Sequence, residues 1–293
     1  MKNLKNLISP VLILAAAMSV QAADRILLFT KTASTRENNI VQTRTMLKTF
    51  YEGKGLTVDT SENAALFSDT SLAKYKAVVF LKTTGTFLTT TQQTAFENYF
   101  KACHGAVLIH AALDAEPNWT FYGKIIGGAY FKSLGGDSNT THRNVIEDTG
   151  DASTKLLPRP WTRKDEIYNF KADPRSSTDP VVHVLVTVDP SSYTGGSTIP
   201  DHPMSWYDTY MGGRAWVTAM GHTTPSYADP LFLGHLWGGL QYALGQTGTP
   251  LVYSGGKAGM KIKTKAVDGY QANGQKLQAH LKVPRHPYLL LPK

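Results

Sequence analysis

Three side chains in this sequence are placed where proton-transfer chemistry could be done. His110 ends the apolar run in GAVLIHAALDAEPNW (residues 105–119), Glu166 follows Asp165 in RKDEIYNF (163–170), and His222 ends the run RAWVTAMGH (214–222). An imidazole titrates near neutral pH, so a histidine beside a carboxylate is a natural acid/base pair. No serine or cysteine stands at position 110, so serine or thiol acyl transfer at this strand end is unsupported. The competing reading of His110 is a histidine that only hydrogen-bonds a loop backbone.

Aromatic residues surround these candidates in the sequence. Asp165 and Glu166 lie between Trp161 and Tyr168, and Asp114, Trp119 and Tyr122 follow His110 closely. Sugars are commonly held by aromatic faces with carboxylates accepting from their hydroxyls. Trp119, Tyr122, Trp161 and Tyr168 are therefore the expected platform, with Asp114 and Asp165 as polar walls. The chain has nine histidines and a single cysteine, Cys103, but no H-E-x-x-H and no paired-cysteine spacing. No local motif assigns a metal, and nothing in the sequence requires a cofactor. A divalent ion held by distant histidines and carboxylates stays open.

The elements that must position these groups can be read from periodicity. The apolar runs RILLFT (25–30), LTVDT (56–60), KAVVFLK (76–82) and GAVLIH (105–110) have strand length. Helical patterns fall between them, around residues 39–53, where Ile40, Met46, Leu47 and Phe50 share a face, and over 89–103, where Phe96, Tyr99 and Phe100 do. This alternation predicts an open, mainly parallel α/β sheet with helices on both faces, whose ligand crevice lies beyond the carboxyl ends of the strands. His110 would point into that crevice. Residues 111–180 are rich in Gly, Pro, Asn and Thr, but their many aromatics argue against disorder. Further strands are expected over 181–189, 203–210 and 214–222, and a closing helix over 227–245.

Residues 1–22 carry the parts of a secretory signal: Lys2 and Lys5, an apolar stretch from Leu7 to Met18, and a small-residue end at Ala22. Export to the periplasm or exterior is the expectation. No segment reaches the roughly 18 uninterrupted apolar residues of a membrane span. The net charge of +8 is concentrated in residues 249–293, where Lys257, Lys261, Lys263, Lys265, Lys276, Lys282, Arg285 and Lys293 face Asp268 alone. This extension could hold an anionic polymer or be only a solvated tail; the body, 23–248, is nearly neutral, and no specific nucleic-acid binding is expected.

The order of motifs resembles the trehalose-utilisation (ThuA-like) family. The matching pieces include ILLFTKTASTR, YKAVVFLKTTG, GAVLIHAALD, WTFYGKIIGGAYFKS, WTRKDEIYNF, DHPMSWYDTYMGGRAWVTAMGHTTPSY and FLGHLWGGLQYALG. They span residues 25 to 245. The resemblance implies a flavodoxin-like sheet similar to class I glutamine amidotransferases, with His110 where those enzymes carry a nucleophilic cysteine, so glutaminase activity is not expected. It also implies a site drawing on Asp114, Asp165, Glu166 and His222, with Arg36 binding substrate, and a link to disaccharide and 3-keto sugar metabolism. Family members commonly have Arg-His where this chain has Arg36-Glu37, and a histidine where it has Leu134. Two polar site positions are thereby expected to be lost. The leading reading is an exported enzyme acting on a keto-sugar or glycoside through His110, Glu166 and His222. The alternative is a noncatalytic carbohydrate-binding or surface-interaction protein with the same pocket.

Overall fold

The computed structural model describes residues 23–137, 139–195 and 201–247. The signal segment and the basic extension lie outside the described residues. Thirteen strands occur: β1 (Arg25–Phe29), β2 (Thr57–Ser61), β3 (Ala77–Leu81), β4 (Thr84–Gly85), β5 (Gly105–Ile109), β6 (Asp114–Ala115), β7 (Phe131–Leu134), β8 (Thr140–Ile146), β9 (Trp161–Asp165), β10 (Tyr168–Phe170), β11 (His183–Val188), β12 (Pro203–Tyr210) and β13 (Gly213–Thr218). The helices are α1 (Ile40–Gly53), α2 (Asp69–Leu72), α3 (Thr90–Lys101), α4 (Thr120–Ile125) and α5 (Pro230–Ala243). None of the described helices is long and apolar enough to cross a membrane.

Nine strands form one sheet in the order β2-β1-β3-β5-β13-β12-β11-β8-β9. From β2 to β13 every pairing is parallel, and from β13 to β9 every pairing is antiparallel. The sheet is therefore mixed, half parallel and half antiparallel, rather than mainly parallel. The antiparallel half includes β8 and β9, which arise within the Gly- and Pro-rich stretch.

The parallel half forms where the sequence runs are continuously apolar. All five residues of β3 and of β5 are buried, as strands covered on both faces must be. Each large apolar side chain removed from water there contributes roughly 1.5–3 kcal/mol. Helix α3 starts at a capping box, in which Thr89 accepts from the Gln92 amide and Gln92 accepts from the Thr89 amide. It buries Phe96, Tyr99 and Phe100, the predicted face. In α1 the buried positions are Ile40, Thr43, Leu47 and Tyr51, while Met46 and Phe50 sit at the edge of the core. Helix α5 is shorter than the sequence pattern suggested, because Asp229 caps it by accepting from the Leu231 amide, after a 3₁₀ turn over Thr224–Ala228. It lies hard against the sheet: a Cβ on Gly239 would come within 2.2 Å of the Trp216 ring, so only glycine permits the approach.

One buried group works against stability. Asp208 on β12 is 1 % exposed, and both carboxyl oxygens lack a hydrogen-bond partner among the described residues. Burial pushes its carboxyl well above the ordinary value. A raised acid favours the fold only below the unfolded pKa of about 3.9, and this contribution is lost as pH rises toward the folded value. Asp208→Asn is therefore expected to stabilise the protein near neutral pH. The gain should vanish below about pH 4. Urea unfolding at pH 7.5 and pH 3.5 measures both.

Candidate active site

The site forms beyond the carboxyl ends of the parallel strands. At the end of β5 the chain turns at His110, whose φ of +56° lies in the left-handed region, and continues as a 3₁₀ turn over His110–Leu113. Tyr122 donates to the Ala112 carbonyl at 2.8 Å and holds that turn. The imidazole is fully buried, and its Nδ1 lies 2.8 Å from the Ala219 carbonyl. A carbonyl only accepts, so Nδ1 carries a proton and Nε2 faces the site. Around Nε2 stand Glu166 Oε2 and the Tyr168 hydroxyl at 3.1 Å, His222 Nδ1 at 3.2 Å and Glu37 Oε1 at 3.3 Å.

Glu166 and His222 come from distant segments. Glu166 follows β9, and its Oε2 lies 3.4 Å from His222 Nδ1 as well as 3.1 Å from His110. His222 is not at a strand tip as expected, because β13 ends at Thr218 and the next four residues have already left the sheet. Asp165 holds that segment in place. Its carboxylate accepts from the amides of Gly221 at 2.8 Å, His222 at 3.0 Å and Thr223 at 3.4 Å, and pairs with the Arg163 guanidinium at 2.5 Å. Burial opposes its ionisation, but the Arg163 charge and these donors outweigh it and keep its pKa below the usual range.

Glu37 and Lys82 complete the cluster. Lys82 follows β3 with φ +53°, and its buried ammonium donates to Glu37 Oε2 at 2.6 Å and to Asn39 Oδ1 and the His222 carbonyl, both at 2.7 Å. Burial lowers the Lys82 pKa against the pull of Glu37. For Glu37, burial would raise the carboxyl, but the hydrogen bond with His222 and the fields of His110 and Lys82 bring it down to about 2. The same Glu37 contact, opposed by burial, raises the His222 pKa. His222 is also the open side of the cluster, with 29 % of its side chain exposed against none of His110.

Of the residues expected at the site, the structure thus brings together His110, Glu166, His222 and Tyr168. Tyr168 is held by His202, whose Nε2 meets its carbonyl at 2.8 Å. The rest of the expected aromatic platform belongs to the core. Trp119 packs on Phe96, Phe121 and Tyr122 and donates to Glu97, Tyr122 is fully buried, and Trp161 is stacked under the Arg163 guanidinium. Their rings are engaged in packing and present no open face to a sugar at the cluster. Asp165 is likewise fully buried and satisfied from within, so it positions the His222 segment instead of binding substrate. Arg36 is paired with Glu62 at 2.8 Å, half-exposed. Asp114, on β6, is half-buried, with its carboxyl raised by burial against the charge of Lys171; its field reaches Tyr168.

Glu37 and Lys82 are the residues that the sequence reading passed over. Glu37, a departure from the pattern of the family, occupies a polar position of the site. Lys82 directly follows β3, so the strand-end rule that located His110 applies to it equally, whereas Glu37 lies in the connection between β1 and α1, eight residues past the strand end, where no spacing points to it. The second departure, Leu134, lies on β7 opposite Tyr168 with its side chain 42 % exposed.

Chemically, the cluster offers two imidazoles and two carboxylates within hydrogen-bond reach of one another, with one phenol and one ammonium beside them. Glu37, His110 and His222 can each direct one ligand atom inward, and those three atoms lie within 4.8 Å of one another.

The ThuA family model, described as trehalose utilisation, matches residues 25–243. A ThuA-like protein from Bacteroides uniformis is similar in structure, with a TM-score of 0.64 and 20 % identity over 78 % of this chain and 94 % of that one. A second, from Parabacteroides merdae, has a TM-score of 0.59 and 19 % identity over 78 % and 93 %. A β-galactosidase from Bacillus circulans sp. alkalophilus shares the fold over 76 % of this chain and 31 % of its own, at a TM-score of 0.51 and 12 % identity. No curated protein matches the sequence significantly.

Proposed function

The chain belongs to the ThuA (trehalose utilisation) family, and from that membership we propose that it is an exported enzyme acting on a keto-sugar or its glycoside by proton transfer at the His110–Glu166–His222 centre. The observation that carries this reading is the placement of Glu166 Oε2, 3.1 Å from His110 and 3.4 Å from His222. Removing a proton beside a carbonyl and returning one elsewhere requires such a pair within reach of a single carbon. His222, open on one side, would meet the substrate, and Tyr168 would fix the geometry of His110. The family's link to disaccharide use supplies the substrate class. Residues 1–22 are the basis for export. The order β2-β1-β3-β5-β13 among the parallel strands supports the flavodoxin-like, amidotransferase-like reading of that half of the sheet.

The test is incubation of the purified chain with 3-keto-disaccharides and their parent glycosides, followed by NMR. Wild type is expected to isomerise, eliminate or cleave at least one keto-sugar. Saturable binding of these sugars with no conversion by concentrated protein would instead establish a noncatalytic carbohydrate-binding protein.

A further inference from the structure

We propose that Glu37, His110 and His222 bind one divalent transition-metal ion. With the ion bound, His110 and His222 act as its ligands and Glu166 is the group left to accept a proton, so the use of the ion in turnover rests on the carbohydrate chemistry proposed above, whereas its binding does not.

The spacing is the first argument. Four-coordinate zinc holds nitrogen and oxygen ligands at about 2.0–2.1 Å, which places neighbouring ligand atoms about 3.3 Å apart. His110 Nε2 and His222 Nδ1 are 3.2 Å apart, His110 Nε2 and Glu37 Oε1 3.3 Å, and His222 Nδ1 and Glu37 Oε2 3.5 Å. The first two are edges of such a shell with Oε1 as the Glu37 ligand atom; the third is to the other oxygen of the same carboxylate, and one ligand atom from each of the three residues lies within 4.8 Å of the others.

Hydrogen-bond accounting is the second. With its Nδ1 proton committed to the Ala219 carbonyl, neutral His110 turns its Nε2 lone pair into the site, where the Tyr168 hydroxyl at 3.1 Å can donate to it but the carboxylates of Glu37 and Glu166 cannot. A proton on Nε2 could serve only one of the two carboxylates. Glu37 Oε1 is buried with no hydrogen-bond partner among the described residues. A cation between the three groups satisfies all of them at once. The carbonyl behind His110 is also the outer contact that metal-bound histidines usually make, fixing tautomer and ring orientation.

Charge points the same way. Lys82 answers Glu37 and Arg163 answers Asp165, which leaves Glu166 without a Lys or Arg partner among the described residues, at a buried position. Two imidazole nitrogens and a carboxylate suit zinc, iron, cobalt or manganese, whereas calcium and magnesium take oxygen ligands. Glu37, which stands where family members commonly have histidine, thus supplies the oxygen ligand of the set. The open side at His222 leaves room for a water or a sugar oxygen, and Glu166 then stands beside that position as the proton acceptor.

The test uses the tag-free chain, stripped with a chelator and dialysed, with no sugar present. Zinc titration by calorimetry is expected to give one site per chain, and the cobalt form should show visible absorption bands of tetrahedral intensity. Glu37→Gln and His222→Ala, each verified as folded by circular dichroism, should weaken zinc binding about tenfold or more and abolish those bands. Stoichiometric zinc binding unchanged in both variants, or no saturable binding to wild type, would overturn the proposal. Neither result depends on turnover, so the metal site and the carbohydrate reading can fail separately.

Discussion

His110→Ala is expected to lower turnover of the keto-sugar by about 10²–10⁴-fold, the usual contribution of a positioned acid/base group, while the chain remains folded. His110 Nε2 lies within 3.3 Å of Glu37, Glu166, Tyr168 and His222 together. Removing the ring leaves the two carboxylates and His222 without a common partner. The fold should survive, because the β5 residues before it are packed by the sheet and the following turn is held by Tyr122. His110→Asn separates chemistry from architecture. Asparagine can still donate to the Ala219 carbonyl but cannot exchange a proton near neutral pH, so it should restore thermal stability and not kcat. Steady-state kinetics and thermal unfolding of both variants decide the matter. Turnover of His110→Ala within a few-fold of wild type would refute the assignment.

Asp165→Ala is expected to cost about 3–5 kcal/mol of stability, the range for removing one partner of a buried ion pair. The Arg163 guanidinium would be left buried without its counter-charge, and the amides of Gly221, His222 and Thr223 would lose their acceptor. Because Asp165 is held below the usual carboxylate range, its contribution is present above the unfolded pKa of about 3.9 and is lost as pH falls through the folded value. The gap between wild type and variant should thus be full at pH 7 and narrow toward pH 3. Urea unfolding across that range measures it, and a constant gap would contradict the charge argument. Activity should fall too, since His222 would lose the contacts that aim it.

The parallel half of the sheet was legible because its strands are continuous apolar runs, and continuity is what two covered faces impose. In the antiparallel half β11, β12 and β13 fall on expected runs, but β8 and β9 do not show in the sequence, although they alternate cleanly between buried and exposed positions. The inward residues include His142 and Asn144 on β8 and Arg163 and Asp165 on β9, so the buried face does not read as hydrophobic. The aromatic platform misled for the complementary reason. Trp119, Tyr122 and Trp161 lie near the candidate residues in sequence, but their ring area is worth more packed against α3 and Arg163 than held open. Glu37 is not legible in the sequence because it lies in the connection between β1 and α1, and only the fold brings it to His110 and His222.

The seam of the sheet has a consequence for how the protein is made. β13 is the last of the described strands in the chain, yet it is inserted between β5 and β12, parallel to one and antiparallel to the other. His110 and His222 are separated by 112 positions in sequence. Until about residue 222 has left the ribosome, β5 and β12 each keep an unpaired edge, and unpaired edges invite pairing with other chains. Such distant contacts also make folding slow. A nascent or truncated chain ending before β13 is therefore expected to be adhesive and lacks His222, and completion of the histidine–carboxylate cluster coincides with closure of the open edges at the centre of the sheet.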